Sequence, residues 1–373
     1  MGIMTKSAVA FGTMRVKHED SVPRKFVRVM RAGGLDELDL KDKIVAIKTH
    51  FGEFGNVSFL KPLYVRIIAE EVIARGGKPF VTDCNTLYPG MRSNAVEHLK
   101  CAEMNGFNSV SCGCPVIIAD GLRGADYVDI PIDGELVKTA HIGRTICEAD
   151  VLISLTHAKG CTFASYGGVL KNLAMGCASR AGKMDQHSGG ALDIIEAVCI
   201  GCGKCARNCG QDAIEIYDGK AHITDRCVKC GHCIGLCPMT AIMGFGATSE
   251  QLEMRIGEYA AAVTTAVEQC FHVALAIDIT PQCDCFPDND APMVPNVGMF
   301  AGFDPVALDC AITTKIGEQV AIEDSVLPER HAAYGSETDH LHAINPLSDY
   351  TLSFRQAAKL GAGSLDYELV NVE

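Results

Sequence analysis

The sequence contains no apolar run long enough to span a bilayer and no low-complexity tract, so we expect a globular protein without a membrane partner. The amino terminus also lacks the apolar region of a secretory signal. Lys6 is followed only by the short run from Ser7 to Phe11, which is more typical of a first strand. These absences predict a cytoplasmic protein with reduced cysteines.

Positive charge is scarce as well. The chain has 33 Lys and Arg side chains against 46 Asp and Glu side chains, and its formal net charge is −13. Because nucleic-acid binding requires a basic surface for the phosphate backbone, we expect no nucleic-acid partner. The length of 373 residues suits two or three domains.

Cysteine, in contrast, is abundant, and eight of the 19 cysteines lie in two runs with the spacing C-x2-C-x2-C-x3-C. This spacing is typical of bacterial four-iron clusters, in which the fourth cysteine of each run ligates the other cluster. We therefore predict two [4Fe–4S] clusters with crossed ligands. The first would be held by Cys199, Cys202, Cys205 and Cys237, and the second by Cys227, Cys230, Cys233 and Cys209.

Two other interpretations of the cysteine runs are weaker. A ladder of disulfides would need an oxidising compartment and a secretory signal. Two zinc sites would more often use C-x-x-C pairs separated by a long spacer. Between the runs, the Asp218-Gly219 turn joins residues 214–217 to residues 220–223, which predicts a hairpin. The whole segment resembles the dicluster bacterial ferredoxin module.

Outside this segment, short apolar strands alternate with helical patterns. A strand at 44–48 is followed by a helical pattern at 62–75 and a second strand at 79–82. Residues 142–148 predict a short helix, and residues 271–279 predict another buried strand beyond the cysteine runs. The predicted fold class is α/β: a mostly parallel sheet with flanking helices, interrupted by a small α+β dicluster ferredoxin-like insert.

This order of elements predicts three parts of the chain. Residues 1–190 form the first half of an α/β domain, residues 191–246 form the insert, and residues 247–373 form the second half. We expect the two halves to contribute strands to one sheet.

Polar side chains follow several predicted strands, and parallel topology would gather them in one crevice at the carboxyl edge of the sheet. The candidate catalytic residues are His50, Glu53, His157, Lys159, Lys171 and Asn172. A histidine and a glutamate can serve as base and acid, and a lysine can hold a carboxylate or a phosphate. The alternative for each residue is a purely structural role.

The glycine pair Gly167-Gly168 opens a helix near Lys159 and Lys171. Free backbone donors at such a helix end can bind an anion, whereas the alternative is a glycine turn that only allows close packing.

Two C-x-C pairs stand apart from the cluster cysteines, one at Cys112 and Cys114 and one at Cys283 and Cys285. Such a pair can chelate a metal, although two thiolates alone make an incomplete site. A third metal or a redox-active thiol pair at Cys283 and Cys285 is therefore an alternative to a structural role for these two cysteines. Cysteines on helical patterns, such as Cys101 and Cys270, are better explained as small core residues.

Five stretches carry a family resemblance: Lys48 to Asn56, Ala119 to Gly121, Gly167 to Leu173, Cys283 to Cys285, and Asp304 to Asp309. With these residues the chain resembles the uncharacterised family numbered 362 among domains of unknown function. The resemblance covers nearly the whole chain. It implies an iron–sulfur protein of anaerobic-type metabolism and supplies no established substrate.

The leading functional hypothesis is an oxidoreductase whose clusters relay electrons between a redox partner protein and a small substrate in the crevice. One alternative is a dedicated electron carrier whose α/β body only docks partners. Another is a non-redox enzyme or regulator with structural or oxygen-sensing clusters. An additional metal or a flavin in the crevice would favour the enzyme, and the sequence leaves the substrate and the oligomeric state open.

Overall fold

The computed structural model describes residues 7–17, 20–87, 90–188, 192–209, 212–227, 233–234, 237–239, 241–243, 247–334 and 339–373. Its strands are β1 (Ser7–Gly12), β2 (Ile44–Lys48), β3 (Lys78–Asp83), β4 (Val116–Ile118), β5 (Tyr127–Pro131), β6 (Thr139–Gly143), β7 (Val151–His157), β8 (Lys159–Cys161), β9 (Ser165–Gly167), β10 (Asp193–Ile194), β11 (Ile214–Tyr217), β12 (Lys220–Ile223), β13 (Ile242–Met243), β14 (Gln269–Ala276), β15 (Gly298–Gly302) and β16 (Tyr367–Asn371).

The helices are α1 (Val22–Ala32), α2 (Pro62–Ala74), α3 (Ala95–Met104), α4 (Ser109–Cys112), α5 (Arg144–Cys147), α6 (Val169–Cys177), α7 (Arg180–Ser188), α8 (Lys204–Arg207), α9 (Ser249–Ala266), α10 (Pro305–Gly317), α11 (Leu327–Tyr334) and α12 (Thr351–Lys359). The helix predicted at 142–148 is shorter than expected, because Ile142 pairs with Val128 in the β5–β6 hairpin and helical structure starts only at Arg144.

The main sheet has eight strands in the order β16-β1-β15-β14-β7-β2-β3-β4. Strand β15 pairs antiparallel with β1 and β14, whereas the pairs from β14 through β7, β2 and β3 to β4 are parallel. Helices cover both faces, so the predicted α/β class with a mostly parallel sheet is confirmed.

Side chains alternate between the two faces along the central strands. Val45 and Ile47 pack into the core under α1 and α2, whereas Ala46 between them joins the core under α6, α9 and α10. Because both faces are covered by helices, the parallel strands are apolar on both sides, and this explains the continuous apolar runs in the sequence.

Strands from distant parts of the chain meet in this sheet. Strand β14 pairs with β7, and β16 pairs with β1, so residues that follow the cysteine runs share one sheet with residues that precede them. The predicted boundaries at 190/191 and 246/247 lie outside the described residues and stay predictions.

The segment between the two halves contains the predicted hairpin. Strands β11 and β12 pair antiparallel around a turn in which Asp218 and Gly219 both have positive φ, 50° and 71°. Positive φ at both central residues is the type I′ turn that a right-twisted hairpin favours, and Asp-Gly suits it. Strands β10 and β13 pair with each other where the segment starts and ends.

A buried carboxyl group on α9 makes the stability of the fold depend on pH. The Ser348 hydroxyl donates to Glu253 Oε1 at 2.8 Å, and 1% of the Glu253 surface is exposed. Burial raises the pKa of Glu253 from 4.5 to about 8, although hydrogen bonds from Ser348 and Ser353 oppose the shift. The folded state binds this proton more tightly than the unfolded state, so the free energy of unfolding falls as pH rises from about 4.5 to about 8.

Replacing Glu253 by Gln removes this titration. The unsubstituted chain should lose stability between about pH 5 and about pH 8, whereas Glu253→Gln should not. We therefore expect the difference between their free energies of unfolding to change by on the order of a few kcal/mol in favour of Glu253→Gln over this range. Thermal unfolding followed by circular dichroism at several pH values measures the difference. Glu250 is exposed on the same helix, so Glu250→Gln is the control that should leave the pH dependence unchanged. The expectation would be contradicted if stability changed with pH in the same way in the unsubstituted chain, Glu253→Gln and Glu250→Gln.

Candidate functional site

A large crevice lies at the carboxyl ends of β2, β3 and β7, where the loops that follow the parallel strands meet. It contains about 940 Å³ of space not filled by protein atoms, part of which is open to solvent. Most of the polar residues selected from the sequence line it: His50, His157, Lys159, Lys171, Asn172, Cys283 and Cys285. The position agrees with the general location of ligand sites in open α/β sheets.

The floor of the crevice is held by a buried lysine. Lys48 Nζ donates to Asn172 Oδ1 at 2.9 Å and lies 3.2 Å from Asp83 Oδ1. Burial alone would raise the pKa of Asp83, but Lys48 and the other basic side chains around it together hold the pKa below its ordinary value. A Cβ atom at Gly176 would collide with the Lys48 ammonium, so a larger residue at this position of α6 would displace it. Asn172 Nδ2 also donates to Thr156 Oγ1 at 2.9 Å, which fixes the amide between β7 and α6.

His50 is held as a neutral ring. The Gly52 N–H donates to its Nδ1 at 2.9 Å, and the Arg92 guanidinium lies 2.8 Å from its Nε2. Burial, together with the Arg92 charge, lowers the pKa of His50 to about 3. The neutral ring carries one proton, so only one of its two nitrogens accepts a hydrogen bond. A second proton would place both ring N–H groups against N–H donors, which disfavours the charged ring as a general acid.

Glu53 is the one predicted catalytic residue that does not line the crevice. It lies behind Arg92, and its Oε2 accepts from Arg92 Nε at 3.0 Å while its Oε1 accepts from the Met91 N–H at 2.9 Å. Both carboxylate oxygens of Glu53 therefore already accept hydrogen bonds from the protein. Arg92, which sequence reasoning missed, is the link, because it also donates to the Cys285 carbonyl at 3.1 Å.

The ring nitrogens of His157 face the opposite kind of partner from those of His50. Its Nδ1 lies 2.9 Å from Asp284 Oδ2 and its Nε2 lies 2.7 Å from the Ile277 carbonyl. Both nitrogens face acceptors, so a doubly protonated ring satisfies both contacts. Lys159 Nζ lies 3.2 Å from Asp284 Oδ2 as well. Burial alone would raise the pKa of Asp284, but His157 and Lys159 together hold it below its ordinary value.

Three thiols converge in the crevice beside this ion-pair group. Cys283 contacts both Cys285 and Cys161, and the Lys171 ammonium donates to Cys283 Sγ at 3.6 Å. The hydrogen bonds from Cys161 and Cys285 hold the pKa of Cys283 well below its ordinary value, and Lys171 and Lys159 add to this against the effect of burial. The hydrogen bond between Cys161 and Cys283, together with burial, raises the pKa of Cys161. The sequence had singled out Cys283 and Cys285 but not Cys161.

The helix end at Gly167-Gly168 is not a free anion site. The N–H groups of Val169 and Leu170 both donate to the Asp309 carboxylate at 2.8 Å, and the Tyr166 hydroxyl donates to it at 2.9 Å. Burial raises the pKa of Asp309 to about 7, although these donors oppose the shift. The anion-binding interpretation of the glycine pair is therefore wrong, because a side chain of α10 already satisfies the donors.

A second cavity lies in the segment between the two halves of the sheet, with about 330 Å³ of space not filled by protein atoms, part of which is open to solvent. The thiol-bearing residues that line it are Cys199, Cys202, Cys205 and Cys237. Backbone N–H groups point at two of the sulfurs: the Ala221 N–H donates to Cys199 Sγ at 3.4 Å, and the Ala241 N–H donates to Cys237 Sγ at 3.2 Å. Of the other predicted ligands, Cys209, Cys227 and Cys233 are described, and Cys230 lies outside the described residues.

The segment packs directly against the walls of the crevice. Leu87 and Met184 belong to the α/β body, yet both join the small apolar core built around Cys205, Ile214 and Ile242. Leu87 follows the crevice-lining residue Thr86, and Met184 lies on α7 next to Lys183, which lines the crevice. The apolar core of the segment therefore includes two residues that are direct sequence neighbours of the crevice lining.

In the described ranges, no group of three or more His, Cys, Asp or Glu side chains is placed to hold a metal ion. The residues around Cys283 and Cys285 thus offer no complete ligand set for a third metal. None of the helices in that part of the chain combines the length and the apolar character needed to traverse a bilayer.

One curated protein is similar to part of the chain. It is a subunit of an ion-translocating oxidoreductase complex from Methanosarcina acetivorans, and it is 40% identical over 50 residues, which are 13% of this chain and 19% of that protein. The chain therefore matches only a small part of the length of this relative.

Two solved structures are similar to the chain at low sequence identity. The lactate racemase apoprotein from Thermoanaerobacterium thermosaccharolyticum has a TM-score of 0.45 and 14% identity, covering 84% of this chain and 58% of that chain. A protein from Thermotoga maritima has a TM-score of 0.38 and 9% identity, covering 74% of this chain and 55% of that chain. This chain thus spans less than two thirds of each.

A family model matches residues 45–314, a much larger part of the sequence than the curated relative matches. On that match, the chain belongs to the family described as Domain of unknown function (DUF362).

Proposed function

We propose that this chain binds two [4Fe–4S] clusters and transfers electrons between a redox partner protein and a small substrate held in the crevice. The observation that carries the proposal is the cavity lined by Cys199, Cys202, Cys205 and Cys237. Three of these thiols come from the first run and one comes from the second, which is the crossed sharing that the spacing predicts.

The four thiols fit a cluster better than a single ion. A cube binds each thiolate at a different iron, so the sulfurs surround a space, whereas a lone ion needs them within bonding distance of one point. N–H donors to Cys199 and Cys237 suit ligating thiolates, because hydrogen bonds to cluster sulfurs tune the reduction potential. When bound, such clusters supply one-electron transfer. The second cluster rests on the sequence spacing, because Cys230 is outside the described residues.

The surface of the insert supports exchange with a partner protein. Cys202 is exposed, and the neighbouring Ile200 has 60% of its surface exposed, so one edge of the first cavity lies close to solvent. The similarity to a protein named as part of an oxidoreductase complex, 40% identical over 50 residues, also supports a redox partner.

The crevice supports a small substrate on the other side. Lys171 brings positive charge to the opening, and the fixed Asn172 amide lies one residue further along α6. In this proposal Lys171, with Lys159 beside it, attracts a carboxylate or phosphate group of the substrate. His50 offers a neutral ring, Glu53 positions Arg92 against it, and His157 keeps Asp284 in place. Met184 and Leu87 form the short connection to the insert.

An electron-transfer assay with a crevice variant tests the proposal. Anaerobic protein with loaded clusters is mixed with fractions of a cell extract that contain only small molecules, and the visible absorption of the clusters is followed. We expect at least one fraction to bleach or restore this absorption in the unsubstituted protein, at least about tenfold faster than in Lys171→Met. Loss of one charged contact worth about 1.5–3 kcal/mol corresponds to a factor of that size or more.

Lys138 provides the matched control, because its side chain is 72% exposed and it lies outside the crevice lining. Lys138→Met should behave like the unsubstituted protein. If dithionite bleaches the clusters of all three proteins but no fraction exchanges electrons with any of them, the chain is a dedicated carrier and the crevice is not a substrate site.

A further inference from the structure

We infer that Cys161 and Cys283 form a two-electron dithiol/disulfide couple in the crevice, which exchanges electrons with the clusters of the insert. The inference deepens the proposed function and rests on it, because it names the first group in the crevice that would receive the electrons. Neither C-x-C spacing nor any other sequence motif joins these two cysteines.

The backbone brings the two thiols together from separate segments. Gly160 on β8 donates its N–H to the Thr280 carbonyl at 2.9 Å, and a Cβ atom at Gly160 would lie 2.9 Å from Pro281 Cα. The residue at position 160 therefore has to be glycine for β8 to approach this closely. Cys161 and Cys283 follow these contact points on their two segments, and their thiols are within hydrogen-bonding distance of each other.

Cys285 also contacts Cys283, but a disulfide between these two would have to close within a single C-x-C loop. The loop is fixed at its middle residue. The Asp284 carboxylate lies against His157 and Lys159, and its carbonyl accepts from the Glu53 N–H at 2.8 Å. Disulfide geometry requires particular Cβ positions, so a held loop disfavours this pairing. Cys161 approaches from another strand and is not limited by the loop.

The charges around Cys283 favour reversible chemistry at that sulfur. The Lys171 ammonium lies 3.6 Å from Cys283 Sγ, and Lys159 is close enough to influence it. Positive charge stabilises a thiolate, and the thiolate is the form of cysteine that is oxidised or attacks a disulfide. The pKa of Cys283 lies well below its ordinary value, as the hydrogen bonds from Cys161 and Cys285 and the lysine charges require.

The reduction balances with the two clusters of the proposed function. It breaks the Sγ–Sγ bond between Cys161 and Cys283 with two electrons, one from each cluster. Cys283 remains a thiolate beside Lys171, and Cys161 takes up one proton from solvent. Oxidation runs in the opposite direction and returns two electrons and one proton. A pair of one-electron clusters thus matches one two-electron couple.

Thiol trapping on the cluster-loaded protein tests the couple directly. Anaerobic samples are equilibrated in buffers of graded reduced and oxidised dithiothreitol, quenched with acid, alkylated and analysed by peptide mass spectrometry. We expect a cross-linked peptide pair containing Cys161 and Cys283 that forms with a two-electron dependence on potential. It should persist in Cys285→Ser and disappear in Cys161→Ser.

The pair Cys112 and Cys114 is the internal control, because it has the same C-x-C spacing and both thiols are buried. Burial raises the pKa of both, to about 12 for Cys114, so neither should cross-link in the folded protein. Full alkylation of Cys161 and Cys283 after oxidation, a Cys283–Cys285 link in their place, or a tightly bound metal ion lost on Cys283→Ser would each overturn the inference.

A reductive titration tests the connection to the clusters. Starting from the oxidised protein, complete bleaching should consume about four reducing equivalents per chain, against about two in Cys161→Ser. Equal counts in the two proteins would overturn the relay. The cross-link does not depend on metal content, so a cross-link in protein that contains no iron would contradict the proposed function and leave the thiol couple standing.

Discussion

Replacing Asp284 by Asn is expected to lower the free energy of unfolding by about 3–5 kcal/mol, the usual cost of removing one partner from a buried ion pair. Asp284 is the shared partner of His157 and Lys159, and 1% of its surface is exposed. Its removal leaves two buried positive charges without compensation. Urea unfolding under argon, with iron content measured in parallel, gives the value.

Asp288 lies on the same loop and is exposed, so Asp288→Asn is the matched control and should change stability by less than about 0.5 kcal/mol. If both substitutions have equally small effects, His157 and Lys159 do not depend on Asp284 for compensation. The assignment of a doubly protonated His157 would then be wrong.

The second large effect concerns the crossed ligands, which pairs of substitutions can resolve by iron content alone. If the sharing is crossed, Cys199 and Cys237 serve the same cluster, and the double variant Cys199→Ala/Cys237→Ala should keep about four irons per chain. Cys199 and Cys209 serve different clusters, so Cys199→Ala/Cys209→Ala should keep almost none. If each run held its own cluster, Cys199→Ala/Cys209→Ala would keep about four irons and Cys199→Ala/Cys237→Ala would keep almost none.

Two controls support this comparison. Each single variant should keep about four irons, because each removes a ligand from one cluster only. Cys270 lies on β14, partly buried against the core and outside the insert, so Cys270→Ala should keep the full iron content. Loss of all iron from a single variant would show that the two sites fold together, and the pairwise comparison would then be made on partially reconstituted protein.

Much of the fold could be predicted because the central strands are buried on both faces. Strands such as β2 and β7 are mostly apolar and buried, and such runs are visible in a sequence. The β8–β9 hairpin was missed, since each of its strands has three residues and contains glycine. Its position depends on contacts with the loop after β14, and these are not encoded in a local pattern.

The position of the crevice could also be predicted, because parallel topology brings the strand exits to one edge. The side chains that hydrogen-bond to the crevice residues could not be predicted from the sequence. Asp309 caps α6 from the interior of α10, and Arg92 reaches His50 from the loop before α3, with no strand signal to mark it. His50 and His157 have the same side chain and similar positions after strands. The donors around His50 and the acceptors around His157 are visible only in the folded chain.

The contact between Cys161 and Cys283 also could not be predicted from the sequence. In the sequence it is one of several cysteines outside the two runs, and its distance from Cys283 along the chain gives no reason to pair them. The contact arises because Gly160 allows β8 to lie directly on the segment at 280–281. The C-x-C spacing drew attention to Cys285, whereas the folded chain brings a third thiol to the same sulfur.

The most direct test of the central claim is the iron and acid-labile sulfide content of the native protein, purified without oxygen and normalised to chain concentration. Two clusters require about eight irons and about eight sulfides per chain, and this is the result we expect. About four of each would contradict the two-cluster assignment, and zinc without sulfide would contradict the iron–sulfur assignment altogether.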